Sequence, residues 1–536
     1  MAQETIKSVI DYVSTERKTF EVRGPAGSGK TYTLVQVVRG LEKKELNGVV
    51  LSLTNVAVNE INHRFYGNTV STAMTSHSFA WLWLKRFYHH LLLDSSIQWA
   101  QDSNWKLLKD NNVKELVFFE DNYSQSYVSQ ESVNSVQVLN PNLLLKLFSE
   151  AIMFSEKFSD KIANVIDFLF IDEYQDTDKN FVNAIHSALA NRVVIGFFGD
   201  PLQKIYPTNG VENLENIFGN DQIKIFPLLT NYRSHPNLLP FFNSLRPEGS
   251  EFSQTTNSSV NDISDNKDGK IFIIREPKPL SPTVLQKIKN SVPINGPLTM
   301  LSPTNIQASI GTASKSINLI ESLKCSINDE FSDLNVKTVD LLLNPYSILP
   351  VNKLLALLAI TKTYFSYPEV RAISLLFRTQ DNFWPLENIK KGRQNLKNNS
   401  LNFIEFLNLD DSIKEWLTKY LKDLPYSAML EIYDSLVRES NKDSVTIQKV
   451  KGLEFENVLV NMDRGTYKSL GLKNVNLSPK NYKEAKLANY MFYVAVTRAK
   501  NNIVIYINDA KEKEFSEILL KHLNRFSITA SEINIS

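Results

Sequence analysis

Cysteine is almost missing from this chain of 536 residues: Cys325 stands alone. One thiol cannot build a disulfide framework, and such usage fits a reducing, cytoplasmic compartment. An excess of one charge is missing too, since 59 Lys and Arg against 58 Asp and Glu leave a formal net charge of +1. That balance excludes a strongly basic non-specific nucleic-acid binder, but leaves room for a local basic groove. No apolar run is long enough to span a bilayer and no secretion signal is recognisable, so no membrane partner is expected. The seven histidines are scattered apart from His89-His90. No His/Cys spacing suits zinc or an iron–sulfur cluster. Internal repeats and low-complexity tracts are absent.

Against these absences stands a glycine-rich loop. Residues Gly24, Pro25, Ala26, Gly27, Ser28, Gly29, Lys30 and Thr31 fit the pattern G-x-x-x-x-G-K-[ST]. Thr19–Arg23 before it reads as a strand, and Thr31–Arg39 after it as a helix. Glycines let such a loop turn its N–H groups toward phosphate oxygens, and the helix N-terminus adds a favourable dipole. Lys30 is then placed to reach the β- and γ-phosphates of ATP, and the Thr31 hydroxyl to bind Mg²⁺.

Other segments supply what hydrolysis needs. Val165–Ile171 is an apolar run of strand length, followed by Asp172 and Glu173. A buried parallel strand reads this way, and ligands gather at its carboxyl end. Asp172 suits Mg²⁺, and Glu173 suits orienting and deprotonating water. Arg192–Phe198 reads as another strand, leading to Gln203, which can sense the γ-phosphate or the water. Arg233, in Leu228–Ser234, offers a phosphate contact. Arg498 precedes the strand-like run Asn502–Ile507. A planar guanidinium spreads positive charge over phosphoryl oxygens, although each arginine alone also reads as an ordinary surface or salt-bridge residue.

In order, the segments GPAGSGKT, LTNVAVNEINHR, TSHSFA, FIDEYQD, GDPLQKIY, NYRS, VKGLEFENV and YVAVTRAK resemble the UvrD/Rep/PcrA branch of superfamily 1 DNA helicases. The resemblance covers roughly residues 1–235 and 440–510. It implies an α/β fold of two RecA-like P-loop NTPase domains with parallel sheets plus helical insertions. It also implies ATP and Mg²⁺ in the cleft between them, and 3′–5′ movement on single-stranded or partly duplex DNA. Tyr232 would stack on the adenine and Glu454 would meet the ribose. Tyr32 stands where the family often has an arginine flanking the adenine. Thr54, Asn55, His77, Phe79 and Tyr206 would face the DNA. From the residues alone, the aromatic cluster Phe79, Trp81, Trp83 and Tyr88 is either a base-stacking platform or the core face of a helix.

The implied organisation is a first RecA-like domain over 1–80 and 160–244, with an insertion at 81–159. A linker over 245–270 is rich in Ser, Asn, Asp and Gly. The second RecA-like domain covers 271–349 and 441–536, with a helical part or reduced insertion at 350–440. Two departures stand out. Pro207-Thr208-Asn209-Gly210 replaces the family's Trp-Arg-Gly after Tyr206, and Gln448-Lys449 replaces a His-Ser pair. The compact plan also resembles the helicase-like subunits of Gabija-type anti-phage systems, which implies an OLD-family nuclease partner. Two readings follow: a DNA translocase, or a DNA-sensing ATPase that regulates such a nuclease with little unwinding. An RNA helicase is disfavoured by the UvrD-like motifs.

Overall fold

The structure is a computed structural model. It describes residues 2–65, 70–111, 113, 115–118, 136–139, 141–206, 210–211, 213–219, 223–246, 251–257, 269–277, 280–302, 444–448, 450–461 and 479–535. The helical part expected at 350–440, Pro207–Asn209 and Lys449 lie outside the described residues.

The strands run in chain order. β1 is Phe20–Arg23, β2 Gly48–Ser52, β3 Thr72–Thr75, β4 Glu115–Phe118, β5 Val136–Leu139, β6 Phe168–Asp172, β7 Val194–Gly199 and β8 Lys224–Pro227. β9 is Thr230–Asn231, β10 Thr255–Thr256, β11 Ile271–Glu276, β12 Leu298–Ser302, β13 Ser444–Thr446, β14 Phe455–Asn461, β15 Ala499–Asn508 and β16 Ser531–Ile533. They make two six-stranded sheets, β3-β2-β6-β7-β1-β8 and β13-β12-β14-β15-β11-β16, and every pairing in both is parallel. The fold is therefore α/β with two parallel sheets, as the motifs predict.

Burial on both faces explains the continuous apolar runs of the central strands, because helices cover each side of a parallel sheet. β6 and β7 are buried along their whole length. One face of the first sheet packs Val22, Phe170 and Phe198 against Leu34, Val38, Val58 and Ile61 of the helices Lys30–Glu42 and Asn55–Phe65. Gly196 allows this face to close up, because a Cβ there would lie 2.5 Å from the Phe20 ring and 2.6 Å from the Phe170 ring. The other face carries Leu169, Ile171, Ile195 and Phe197, covered by Phe79, Phe148, Phe158 and Phe181. The segment predicted as an insertion thus supplies one outer layer of the first domain. Residues 141–163 within it form two helices, Pro141–Phe154 and Glu156–Ala163. The break falls at Ser155, whose hydroxyl caps the second by accepting from Phe158 N. β4 and β5 add a small parallel ribbon that the sequence does not announce.

Two boundaries differ from expectation. Leu238, Leu239, Phe241, Phe242 and Leu245 pack in the core of the second sheet, with Ile271, Val458 and Phe492, although the sequence groups most of them with the first domain. The stretch 245–270 is not simply a solvated linker. Arg246 and Gln254 are buried, and β10 pairs with β9. Among the described residues no helix is long and apolar enough to cross a membrane.

Candidate nucleotide site between the two sheets

The parallel order puts three strand ends side by side. β7 lies between β1 and β6, so the glycine-rich loop, Gly199-Asp200 and Asp172-Glu173 leave from one edge of the sheet. Gly24 N donates to Gly199 O at 3.1 Å and starts the loop. Gly27 and Gly29 adopt φ of 78° and 81°, which only glycine takes without strain. A Cβ on Gly27 would also lie 2.9 Å from Arg233 Cβ. The chain after β8 braces the loop: Tyr232 N donates to Gly27 O at 2.9 Å, and Asn231 Nδ2 to Ala26 O at 3.2 Å. The helix Lys30–Glu42 starts at Gly29 with no side-chain cap, which leaves its first N–H groups for an anion. Lys30 is buried and its Nζ donates to Gly24 O at 2.8 Å and Pro25 O at 3.2 Å. Burial lowers its pKa, and the charge of Glu173 works against that.

Asp172 closes β6, and Glu173 follows in a left-handed conformation, φ 51°. A non-glycine residue there is strained and keeps that conformation only where its neighbours hold it. They do. Tyr174 donates its hydroxyl proton to Glu21 Oε1 at 2.6 Å, and Gln175 Oε1 accepts from Asp200 N at 3.2 Å. Gln175 Nε2 also donates to Glu173. Asp172 is buried and its Oδ1 has no hydrogen-bond partner. Burial, with the charge of Glu173, pushes its pKa up to about 7. An orphaned buried carboxylate oxygen beside a phosphate loop is a donor that suits a hard divalent cation such as Mg²⁺. Burial would raise Glu173 as well, but Lys451 and Lys30 outweigh it and hold its carboxyl down to about 2.

The second sheet contributes cations. Arg498 follows the helix Pro479–Val496 and is buried. Its Nε donates to Val494 O at 3.1 Å, and its Nη2 crosses to Gln203 Oε1 at 3.1 Å. Burial, then repulsion from Arg233, lowers its pKa to about 9. Arg233 donates from Nε to Glu454 Oε2 at 3.2 Å and from Nη1 to Thr497 O at 3.2 Å. Glu454 also pairs with Lys500 at 2.5 Å. Lys451 pairs with Asp176, and with Glu173 at 3.5 Å. Burial lowers its pKa to about 8 despite Glu173. Preorganised positive charge in a dry site, next to an ionised carboxylate, can stabilise a polyanion and orient a water.

The structure thus brings Lys30, Asp172, Glu173, Gln203, Arg233, Glu454 and Arg498 together, with Thr31 half-buried in the first turn after the loop. Tyr32 and Tyr232 are about half exposed beside the loop, at 50% and 46%. The DNA-facing set is less uniform. Phe79 is corrected: it is buried, edge-on to Phe148 and Trp83, and has no face to offer a base. It repeats at helical spacing with Trp83 and Phe87 on the core side of Ser76–Leu93. Trp81 is half-buried, and Lys85 lies 6.0 Å over its ring. His77 is half-buried one turn earlier. Thr54 and Asn55 are exposed, and the Thr54 hydroxyl caps its helix by accepting from Ala57 N at 3.2 Å. Tyr206 donates its hydroxyl proton to Gln448 O at 3.3 Å.

Sequence reasoning missed Lys451, Asp200 and Gln175 as site residues. All three stood inside motifs already singled out (VKGLEFENV, GDPLQKIY, FIDEYQD), which was the available signal.

A family model described as an AAA domain matches residues 8–209. That span holds the glycine-rich loop, the acidic strand end and Gln203, and stops before Arg233 and the whole second sheet. No curated protein matches the chain. Such domains are found in UvrD/Rep-like helicases, and over residues 8–209 the chain is similar to a P-loop NTPase domain.

Proposed function

We propose that this chain is a UvrD-type ATPase that hydrolyses ATP between its two sheets and uses the cycle to move on single-stranded DNA, in the 3′–5′ direction. The observation that carries the reading is the bond from Arg498, on the second sheet, to Gln203, on the first. A site completed by both domains makes their closure depend on the nucleotide, and closure and opening are what a translocating cycle needs. Lys30 and the loop N–H groups would hold the phosphates, while Thr31 and Asp172 would hold Mg²⁺. A bound Mg²⁺ neutralises charge on the phosphate oxygens. Glu173, ionised at neutral pH, would accept the proton of the attacking water. Arg233 and Arg498 would meet charge developing on the phosphoryl oxygens. Tyr232 and Tyr32 would flank the adenine, and Glu454 would meet the ribose. Thr54, Asn55, His77 and Tyr206 would line the DNA path, with Trp81 in place of Phe79 as the stacking ring.

A second reading is favoured by Pro207–Gly210 and Gln448-Lys449, which replace a stacking tryptophan and a His-Ser pair. It makes the chain a DNA-sensing ATPase that regulates a partner nuclease, with an anti-phage role. The test is the ATP hydrolysis rate of the purified chain with and without a single-stranded oligonucleotide, followed by strand separation. Strong stimulation with unwinding supports the motor. Stimulation without unwinding supports the sensor. A rate that Glu173→Gln leaves unchanged removes the site assignment from both.

A further inference from the structure

Arg246 belongs to no motif. It falls in a stretch whose composition predicts a solvated connection, yet its guanidinium is buried against Asp200 and Tyr493. Nη1 donates to Asp200 Oδ2 at 3.1 Å and to the Tyr493 hydroxyl at 2.7 Å, and Nη2 donates to Asp200 Oδ1 at 3.3 Å. Tyr493 sits on the helix that ends just before Arg498. Arg246 therefore joins the end of β7 to the element that delivers the second domain's arginine.

Asp200 passes this on to Gln203. Its Oδ2 accepts from Gln203 Nε2 at 3.1 Å, which leaves Gln203 Oε1 to accept from Arg498 Nη2 at 3.1 Å. A flipped amide would set N–H against guanidinium and oxygen against carboxylate, unfavourable on both sides. The direction of Gln203 thus depends on a charged Asp200. A fully buried carboxylate stays charged only with a partner, and Arg246 is that partner. A second branch starts at the same tyrosine. Gln254 Nε2 donates to the Tyr493 hydroxyl at 3.3 Å, and Asn231 Nδ2 donates to Gln254 Oε1 at 2.5 Å and to the loop carbonyl of Ala26 at 3.2 Å.

We propose that Arg246 is a positioning residue for ATP turnover, holding Asp200 charged so that Gln203 faces Arg498, and tying that pair to the phosphate loop through Tyr493. The inference rests on the ATPase reading above. Arg246 acts through Asp200 and Gln203 and touches no phosphate itself.

The experiment is a double-mutant cycle on the full chain. Arg246→Gln, Arg246→Lys and Tyr493→Phe are each made with Gln203 present and with Gln203→Ala. The turnover rate, KM and affinity for a fluorescent ATP analogue are then measured. Arg246→Gln is expected to lower kcat by about tenfold or more, with nucleotide affinity close to the parent, and Arg246→Lys to recover part of the loss. The loss should nearly vanish when Gln203 is already alanine, because the two changes cut one path. If Arg246→Gln fails to fold, Tyr493→Phe carries the same cycle with all charges still paired, and a loss of about threefold that disappears with Gln203→Ala is expected. Equal losses in both backgrounds, or a folded Arg246→Gln with the parent rate, would overturn the role. A parent chain that hydrolyses no ATP would overturn the ATPase reading and this role with it. A hydrolysing parent with an indifferent Arg246 would remove only the role of Arg246.

Discussion

The two parallel sheets have the same strand number and opposite chemistry at their meeting edge. The first offers a glycine loop, an orphaned carboxylate and the strained Glu173. The second offers Arg498 and Lys451, with almost every polar atom tied to its own backbone or to a carboxylate across the gap. On the function proposed above, the first would receive an anion with its metal, and the second would respond to its arrival. Neither edge is complete alone, so two copies of one architecture divide the work by what they place at one strand end.

The sharpest way to break this division is to remove one side's charge. Arg498→Ala should cut turnover by about 10³-fold while nucleotide binding is largely kept. Glu173→Gln should abolish turnover and also keep binding, as read by a fluorescent nucleotide. A normal rate in Arg498→Ala would mean that the second sheet is a spectator. A smaller effect separates two aromatic residues on one helix. Trp81→Ala should weaken single-stranded DNA binding by roughly tenfold, the size of one lost base stack. Phe79→Leu should leave DNA affinity alone and lower the melting temperature, since it thins the core contacts with Phe148 and Trp83. Reversed outcomes in a titration would restore Phe79 to the DNA path. The smallest effect concerns acid. The pKa of Asp200 is lowered, because Arg246 and Lys30 outweigh burial. Its contribution to stability is therefore full above the ordinary aspartate range of about 4 and is lost as pH falls through the lowered value. Melting temperatures across that window should fall more steeply for the parent than for Asp200→Asn.

The first sheet was legible because its chemistry is contiguous. A loop spacing and two strand ends announce themselves within a few residues, and short continuous apolar runs marked the buried strands. The boundaries slipped where burial rather than composition decides. Val165 is exposed and precedes β6, which instead keeps Asp172 as its last residue. Phe79 misled because a motif position and a core position fall on the same helical face. Arg246 was hidden for the opposite reason: its neighbours are loop formers, and only Asp200, distant in sequence, reveals it. Lys451 stood in plain view in a motif, but its ion pair with Asp176 needs both domains.

The placement of β1 has a consequence for synthesis. Its two neighbours are β7 and β8, which begin only at Val194 and Lys224. A ribosome adding about 5–20 residues per second leaves the phosphate loop without its sheet for roughly ten to thirty seconds after it emerges. During that wait Leu34, Val35, Val37 and Val38 of the following helix lack Phe168, Phe170, Val194 and Phe198, the β6 and β7 residues of their core. The nascent chain therefore makes the glycine-rich loop early and closes the sheet around its strand late.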